Sequence, residues 1–109
     1  MRDGEPLLQL KIDVAEDEAA RVQGLRGRTL REDEALVLWF FAPSEVCIEN
    51  TGVEFAIDAA YVNEGRVVVV ESFEPDEASL HCHRADRVVE AQRGVLSALE
   101  PGDEAVFAR

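Results

Sequence analysis

The most regular hydrophobic pattern lies in the middle of the chain. Between residues 55 and 62, apolar side chains occupy both faces of an extended strand, with one carboxylate, Asp58, among them. An Asn-Glu-Gly turn at 63–65 separates this strand from 66–71, whose run of four valines is typical of a strand covered on both faces. The two segments predict a hairpin at the centre of a sheet.

Asp58 is the charged residue that this pattern makes conspicuous. A carboxylate in an apolar setting must accept hydrogen bonds or pair with a cation, because leaving it charged and alone costs several kcal/mol. We therefore predict that Asp58 is mostly buried and hydrogen-bonded. Arg28 or Arg26, in the arginine-rich turn at 25–30, is its predicted partner, because a guanidinium pairs with a carboxylate in a bidentate way. Such a pair is either a structural ion pair or part of a binding site.

Shorter patterns on either side of the hairpin predict further strands and two brief helices. Alternation predicts a first strand at 8–14, after a short tail at 1–6. Asp17 suits the N-cap and Gly24 the end of a helix of at most two turns. Further strands are predicted at 35–41, 45–50, 87–92 and 104–108, one or two helical turns at 95–99, and no definite element at 80–84.

These elements predict the fold class. We expect a single domain over residues 1–109, mainly β (or α+β), built as a small antiparallel β-sandwich or barrel-like domain with one or two short covering helices.

The balance of charge restricts the partners. Acidic residues number 23 against 11 basic ones, for a formal net charge of −12, and Lys11 is the single lysine. Nucleic acid phosphates and anionic membranes are bound through Lys and Arg, so neither is an expected partner. The expected partner is instead a small molecule or a protein, and the expected state is a monomer.

Two cysteines and the lack of an export signal bear on the compartment. Cys47 and Cys82 do not form the dense framework of a secreted scaffold, and the amino terminus shows no basic segment followed by an apolar one. No apolar segment approaches the roughly 20 residues that cross a bilayer. We expect a cytoplasmic protein with both thiols reduced; a disulfide between them is the alternative.

The order of several short motifs resembles the domain-of-unknown-function family 192, a group of small mainly-β proteins. The resemblance covers about residues 14–107. It rests on Arg21, Gly24, Leu25, Arg28, Leu30, Thr51, Phe55, Ile57, Asp58, Tyr61, Val62, Gly65, Val67, Glu90, Gly94, Gly102 and Asp103. The resemblance implies the fold rather than an activity, since the family has no established one. The acidity and scarcity of lysine further resemble proteins of salt-loving microbes, so a haloarchaeal-type member is expected.

Two further sets of residues are candidates for chemistry. Asn50 and Thr51 place polar side chains at a strand end before Gly52, where a ligand can approach the backbone; alternatively they cap a local turn. His81 and His83 share one face of a strand and are weak metal-ligand candidates, since two ligands do not complete a zinc site. The expectation is therefore no metal and no cofactor.

Two functional hypotheses follow from these candidates. The first is a non-catalytic ligand- or protein-binding module that uses Asn50, Thr51, Asp58 and Arg28, because no assembled set of acid, base and nucleophile is recognisable. The alternative is a hydrolase or metal-dependent enzyme that uses Asp58 with His81 or His83. The two differ in one geometric requirement, since the enzyme needs Asp58, Asn50 and a histidine around one cleft.

Overall fold

The computed structural model describes residues 8–107. Its elements are β1 (Lys11–Ala15), α1 (Glu18–Gln23), β2 (Glu34–Ile48), β3 (Ile57–Asn63), β4 (Arg66–Phe73) and β5 (His81–Gln92). The five strands form one sheet in the order β1-β2-β5-β3-β4, with β1 parallel to β2 and the other neighbours antiparallel. The predicted mainly-β fold is confirmed, as a mixed sheet with one short helix.

β2 and β5 are longer than the patterns indicated: β2 joins the two strands predicted at 35–41 and 45–50, and β5 extends the strand predicted at 87–92 back to His81. β2 continues through Pro43, and its pairing with β5 shifts register between Trp39 and Ser44. A proline is tolerated in a strand at such an irregularity, because the donor it lacks is not needed there. β5 begins within the segment 80–84, for which the sequence predicted no definite element. Beyond the shift, 44–48 and 81–85 form a two-stranded extension of the sheet.

The sheet has two buried faces. One, which we call the helix face, packs against Ala20 of α1 and against Leu25 and Leu30 in the chain after it. The helix face includes Leu36, Leu38, Val46, Ile48, Ile57, Ala59, Tyr61, Phe73, Ala85 and Val88. The other, which we call the opposite face, is smaller and includes Ala35, Ala60, Ala91 and Leu96. Alternation along β3 assigns successive side chains to different faces.

The predicted hairpin forms, but only its first strand is central. β3 lies between β5 and β4, and its side chains from Ile57 to Val62 are all buried. β4 is the edge strand, so its valine run is only partly covered and Val68 is 38% exposed. A run of valines indicates high strand propensity, which is the same for an edge strand as for a central one. The expectation that both strands are central is therefore wrong for β4.

The remaining elements agree with prediction in part. The Asp17 carboxylate accepts a hydrogen bond from Ala20 N at 2.7 Å and Gly24 (φ 53°) ends α1, as predicted. β1 begins later than expected, and the segment 93–98 forms turns rather than a helix. The predicted last strand is reduced to one bridge between Glu104 and Arg66. Its residue 108 and the predicted tail at 1–6 lie outside the described residues.

Cys47 and Cys82 are joined by a disulfide, so the expectation of two free thiols is wrong in this structure. The cysteines lie directly opposite each other on β2 and β5, with their Cα atoms 4.0 Å apart. Their separation of 35 residues in sequence says nothing about this proximity, which depends on the long-range pairing of β2 with β5.

Candidate functional site

A cavity of about 630 Å³ lies on the helix face, between α1 and the pocket wall formed by 44–48 of β2. Its apolar lining includes Leu25, Leu38, Phe40, Val46, Ile48 and Val53. Binding sites for small molecules are concave and mostly apolar, with a few placed polar groups, and have volumes of about 300–1,000 Å³. The cavity has these properties, and we call it the α1 pocket.

Glu90 is the buried acid of the α1 pocket. It lies on β5 directly opposite Leu36 and Ala59, so its side chain is on the helix face, and it is only 4% exposed. Within residues 8–107 no hydrogen bond to its carboxyl group is present. Removal from water raises the pKa of Glu90 to about 7, although the positive charge of Arg26 opposes the shift.

Gly24 lets the backbone at the end of α1 lie close to the carboxyl group of Glu90. A methyl group added at Gly24 would lie 3.7 Å from Glu90 Oε1, and the positive φ of 53° disfavours other residues there. The end of α1 therefore passes close to the carboxyl group.

The two arginines of the α1 pocket already have partners. Arg26 forms an ion pair with Glu49 and donates to the carbonyl of Val22 at 2.6 Å. Arg21 donates to the carbonyls of Glu16 and Trp39 and lies over the ring of Phe40. Both guanidinium groups are therefore engaged within the protein, whereas the carboxyl group of Glu90 has no hydrogen-bond donor among residues 8–107.

Asn50 supplies a second buried acceptor. Its side-chain nitrogen donates to the carbonyls of Phe55 (3.1 Å) and Glu74 (2.9 Å), which fixes the orientation of the amide. Its Oδ1 is buried and has no hydrogen-bond donor among the residues the structure describes. Asn50 lines the α1 pocket, whereas Thr51 is an exposed turn residue outside the lining.

Asp58 is buried and hydrogen-bonded, as predicted, but not to an arginine. Its carboxylate accepts from Ser72 Oγ at 2.7 Å and from Gly94 N at 2.9 Å, and the residue is 5% exposed. Arg28 instead pairs with Asp13 at 2.7 Å. The predicted Asp58–Arg28 pair is wrong because Asp58, opposite Ala91 of β5, is on the opposite face, away from the turn after α1.

His81 and His83 are on the helix face, opposite Ile48 and Val46 of β2. Both contact the carboxylate of Glu71 on β4. Asp58 is on the other side of the sheet, so the hydrolase arrangement of Asp58 with a histidine does not assemble in one cleft.

One further group has ligand atoms close together. Glu45, Cys47 and Cys82 are the described residues whose metal-ligating atoms lie within 4.8 Å of one another. The two sulfur atoms are bonded to each other in this structure.

The family resemblance extends over nearly the whole chain. The model of the DUF192 family, described as Uncharacterized ACR, COG1430, matches residues 1–107. The chain belongs to this family. No protein among those with curated descriptions matches it.

Two solved structures show the same fold. One is a candidate transcription regulator from Sinorhizobium meliloti, with TM-score 0.82 and 20% identity over 87% of this chain and 79% of that one. The other is a protein of unknown function from Novosphingobium aromaticivorans, with TM-score 0.81 and 20% identity over 87% and 73%. At this identity the likeness supports the fold alone. Among the described residues, no helix is long and apolar enough to span a membrane.

Glu90 is the site residue that sequence reasoning missed. It was recognised as a family residue, but not as a candidate for binding. The available signal was the one used for Asp58, since Glu90 follows Val88 and Val89 and precedes Ala91 in a strand. A carboxylate in an apolar strand points to a buried acid in both cases. Only the structure distinguishes Asp58, which has donors, from Glu90, which faces a cavity.

Proposed function

We propose that this domain is a non-catalytic binding module whose α1 pocket takes a small organic cation, such as a primary amine attached to an apolar group. The observation that supports this most directly is the carboxyl group of Glu90, which lines the cavity at 4% exposure without a hydrogen-bond donor among residues 8–107.

The donor and acceptor pattern favours a cation over an anion. An anionic ligand needs free donors, but the guanidinium groups of Arg21 and Arg26 are held by carbonyl groups and by Glu49. Two buried groups of the lining, the Glu90 carboxyl and the Asn50 Oδ1, have no hydrogen-bond donor among residues 8–107, and both can act as acceptors. An ammonium group has three donors and no acceptor, and so complements a carboxylate such as that of Glu90.

The remaining lining favours an apolar body on the ligand. Phe40, Val46, Ile48 and Val53 surround the polar groups with hydrophobic surface. Burial of a methylene group contributes about 0.8 kcal/mol, so an alkyl or aryl substituent adds affinity that ammonium alone lacks. The net charge of −12 also attracts cations over long range at low salt.

The ionisation of Glu90 gives this proposal a pH signature. Only the ionised carboxylate pairs with a cation, and with a pKa of about 7 it is about 1% ionised at pH 5 but about 90% ionised at pH 8. The apparent affinity for an amine that stays protonated across this range therefore falls about 90-fold from pH 8 to pH 5.

The test compares benzylamine with its neutral isostere benzyl alcohol, by isothermal titration calorimetry at pH 5, 6, 7 and 8. The proposal requires benzylamine to bind in a 1:1 ratio, more tightly than the alcohol, with the pH dependence above. Glu90→Gln should remove the pH dependence and weaken benzylamine binding. Glu74→Gln is the matched control, because Glu74 forms an exposed ion pair with Arg93 outside the pocket lining. Binding that is equal for both probes, or unchanged in Glu90→Gln, contradicts the proposal.

We infer from composition that nucleic acids and anionic membranes are not partners. The carboxylate-rich surface repels phosphates, in contrast to what a regulator that binds DNA directly requires. This is notable because the Sinorhizobium meliloti neighbour is named as a candidate transcription regulator. A monomeric, cytoplasmic protein of a salt-loving microbe remains our proposal for state and setting.

A further inference from the structure

We propose that His81, His83 and Glu71 form a binding site for a divalent transition-metal ion of the zinc type. This site is separate from the α1 pocket, whose lining contains none of the three residues.

The three side chains come together from two strands that are not neighbours in the sheet. His81 and His83 lie on the two-stranded extension of β5, and Glu71 lies on the edge strand β4. All three side chains lie on the helix face of the sheet. Glu71 is opposite Ala59 in register, and His81 and His83 are opposite Ile48 and Val46. The extension therefore brings the imidazole rings to a carboxylate on the far side of β3.

The distances between their ligand atoms approach those of a metal site. Ligand atoms about 2.1 Å from a tetrahedral zinc ion lie about 3.4 Å from one another. Glu71 Oε2 is 3.3 Å from His81 Nδ1 and 2.7 Å from His83 Nε2. One carboxylate oxygen thus contacts a ring nitrogen of both histidines, the arrangement from which two histidines and one carboxylate ligate a metal.

Binding requires a limited closure of the two rings. The three ligand atoms are not all within 4.8 Å of one another, so His81 Nδ1 and His83 Nε2 are the pair that must approach. Because both nitrogens contact the same oxygen, the approach needed is roughly 2 Å, to reach the separation of zinc ligands. The side chains are 26–31% exposed, so an ion can enter from solvent and the rings have room to turn.

Neighbouring side chains fix the orientation of the two imidazole rings, as the outer partners of a metal site do. His81 Nε2, the nitrogen that does not face Glu71, lies 3.4 Å from the carboxylate of Glu77. A carboxylate on the second nitrogen of a histidine fixes its orientation and makes it a better ligand. The ring of His81 packs on Phe73 and that of His83 on Tyr61, with centroid distances of 4.5 and 4.8 Å.

The chemistry of the donors identifies the class of ion. Imidazole nitrogens favour zinc, cobalt and nickel over magnesium and calcium, which prefer all-oxygen sites. Three protein ligands leave the fourth position of a tetrahedral ion for water or a bound molecule.

The test is calorimetric titration of the untagged, chelator-treated protein with zinc chloride, followed by magnesium chloride as a comparison. We expect 1:1 zinc binding and no magnesium binding at the same concentrations. His83→Gln and Glu71→Gln should each weaken zinc binding by about 100-fold or more, and Glu77→Gln by about 10- to 100-fold, because it removes an outer partner rather than a ligand. The unfolding midpoint without metal shows whether each variant is folded.

The Cys47→Ser/Cys82→Ser double variant is the control for the other group of ligand atoms. It should retain 1:1 zinc binding, weakened by far less than in His83→Gln, because it removes the cross-link between the two strands but none of the three proposed ligands. If zinc binding is lost in the cysteine variant but kept in His83→Gln, the thiols and Glu45 are responsible and the proposal is overturned. If a histidine variant does not fold, zinc-induced shifts of the imidazole nuclear magnetic resonances in the parent protein replace it. Imidazole signals unchanged at saturating zinc, or no heat of binding up to 1 mM zinc (about 4 kcal/mol of affinity), also overturn it.

Discussion

Replacement of Glu90 by Gln should make the protein more stable above neutral pH, although it removes an ionisable group from the core. Gln has nearly the same shape as Glu but no charge to bury. Glu90 has a pKa of about 7 in the folded protein against an ordinary value of 4.5, because burial disfavours its charged form. The folded state therefore binds more protons at Glu90 than the unfolded state does between these two values.

The sign and size of the effect follow from linkage. The contribution of Glu90 to folding stability is fully present below pH 4.5 and is lost as the pH rises through 7. Between pH 5 and pH 8 the loss is about 2.5 kcal/mol for these two pKa values. For a domain of this length that corresponds to about 10 °C in melting temperature.

The charged and polar groups around Glu90 limit the effect without reversing it. Arg26 approaches from the turn after α1 and favours the ionised form, but Glu49 neutralises much of its charge. Tyr61 on β3 stays neutral, because burial and the nearby carboxylates Glu71 and Glu90 raise the pKa of its phenol well above the ordinary value. Desolvation of Glu90 therefore remains the dominant influence.

The assay is urea unfolding of the parent and Glu90→Gln from pH 5 to pH 8.5 at constant salt, monitored by circular dichroism. Other carboxylates titrate in both proteins, so the difference between the two curves isolates Glu90. We expect this difference to change in favour of the variant by about 2.5 kcal/mol across the range. Two parallel curves would refute a raised pKa at Glu90, and with it the pH signature of amine binding.

Three other predictions concern stability. Asp58→Ala should destabilise the protein by about 1–3 kcal/mol in urea unfolding, because Gly94 N and Ser72 Oγ lose their acceptor, while Asp58→Asn keeps one acceptor oxygen and should cost less; equal costs would contradict this reason. Iodoacetamide without reductant should modify neither Cys47 nor Cys82, and both after reduction, which should lower stability by about 3–4 kcal/mol for a loop of 35 residues; modification of the unreduced protein, read by mass spectrometry, would exclude the disulfide. The melting temperature should rise steeply from 0.01 to 1 M potassium chloride, because the screening length falls from about 30 to about 3 Å, against a radius of gyration of 12.7 Å; a change within 2 °C (about 0.5 kcal/mol) would reject the halophilic interpretation.

Local patterns predicted the local parts of this fold. The cap at Asp17, the end of α1 at Gly24 and the turn at 63–65 were all identified from short-range rules, because their geometry depends on neighbouring residues. The burial of Asp58 was predicted for a similar reason, since apolar neighbours in a strand imply a covered side chain.

Long-range pairing was the part that local patterns could not determine. The continuity of β2 through Pro43, the edge position of β4 and the contact of Cys47 with Cys82 all depend on which strands are neighbours. The partner of Asp58 was mistaken for the same reason, because the face on which a side chain lies depends on strand register. Glu90 and Asp58 are both carboxylates among apolar neighbours in a strand, but their surroundings in space differ, and that difference separates a binding candidate from a structural residue.

The extension formed by 44–48 and 81–85 has a consequence for both proposed sites. These segments pair with each other but not with β3, whose contact with β5 covers only residues 87–92. An isolated pair of strands is only marginally stable. The Cys47–Cys82 disulfide joins the two strands at this point, where each has only the other as its hydrogen-bonded neighbour. Val46 and Ile48 on the β2 segment belong to the pocket wall, and His81 and His83 lie opposite them on the β5 segment, on the same face. Reduction of the disulfide would therefore loosen this pair of segments and leave the central strands intact, so we expect both proposed sites to bind their ligands less firmly under reducing conditions.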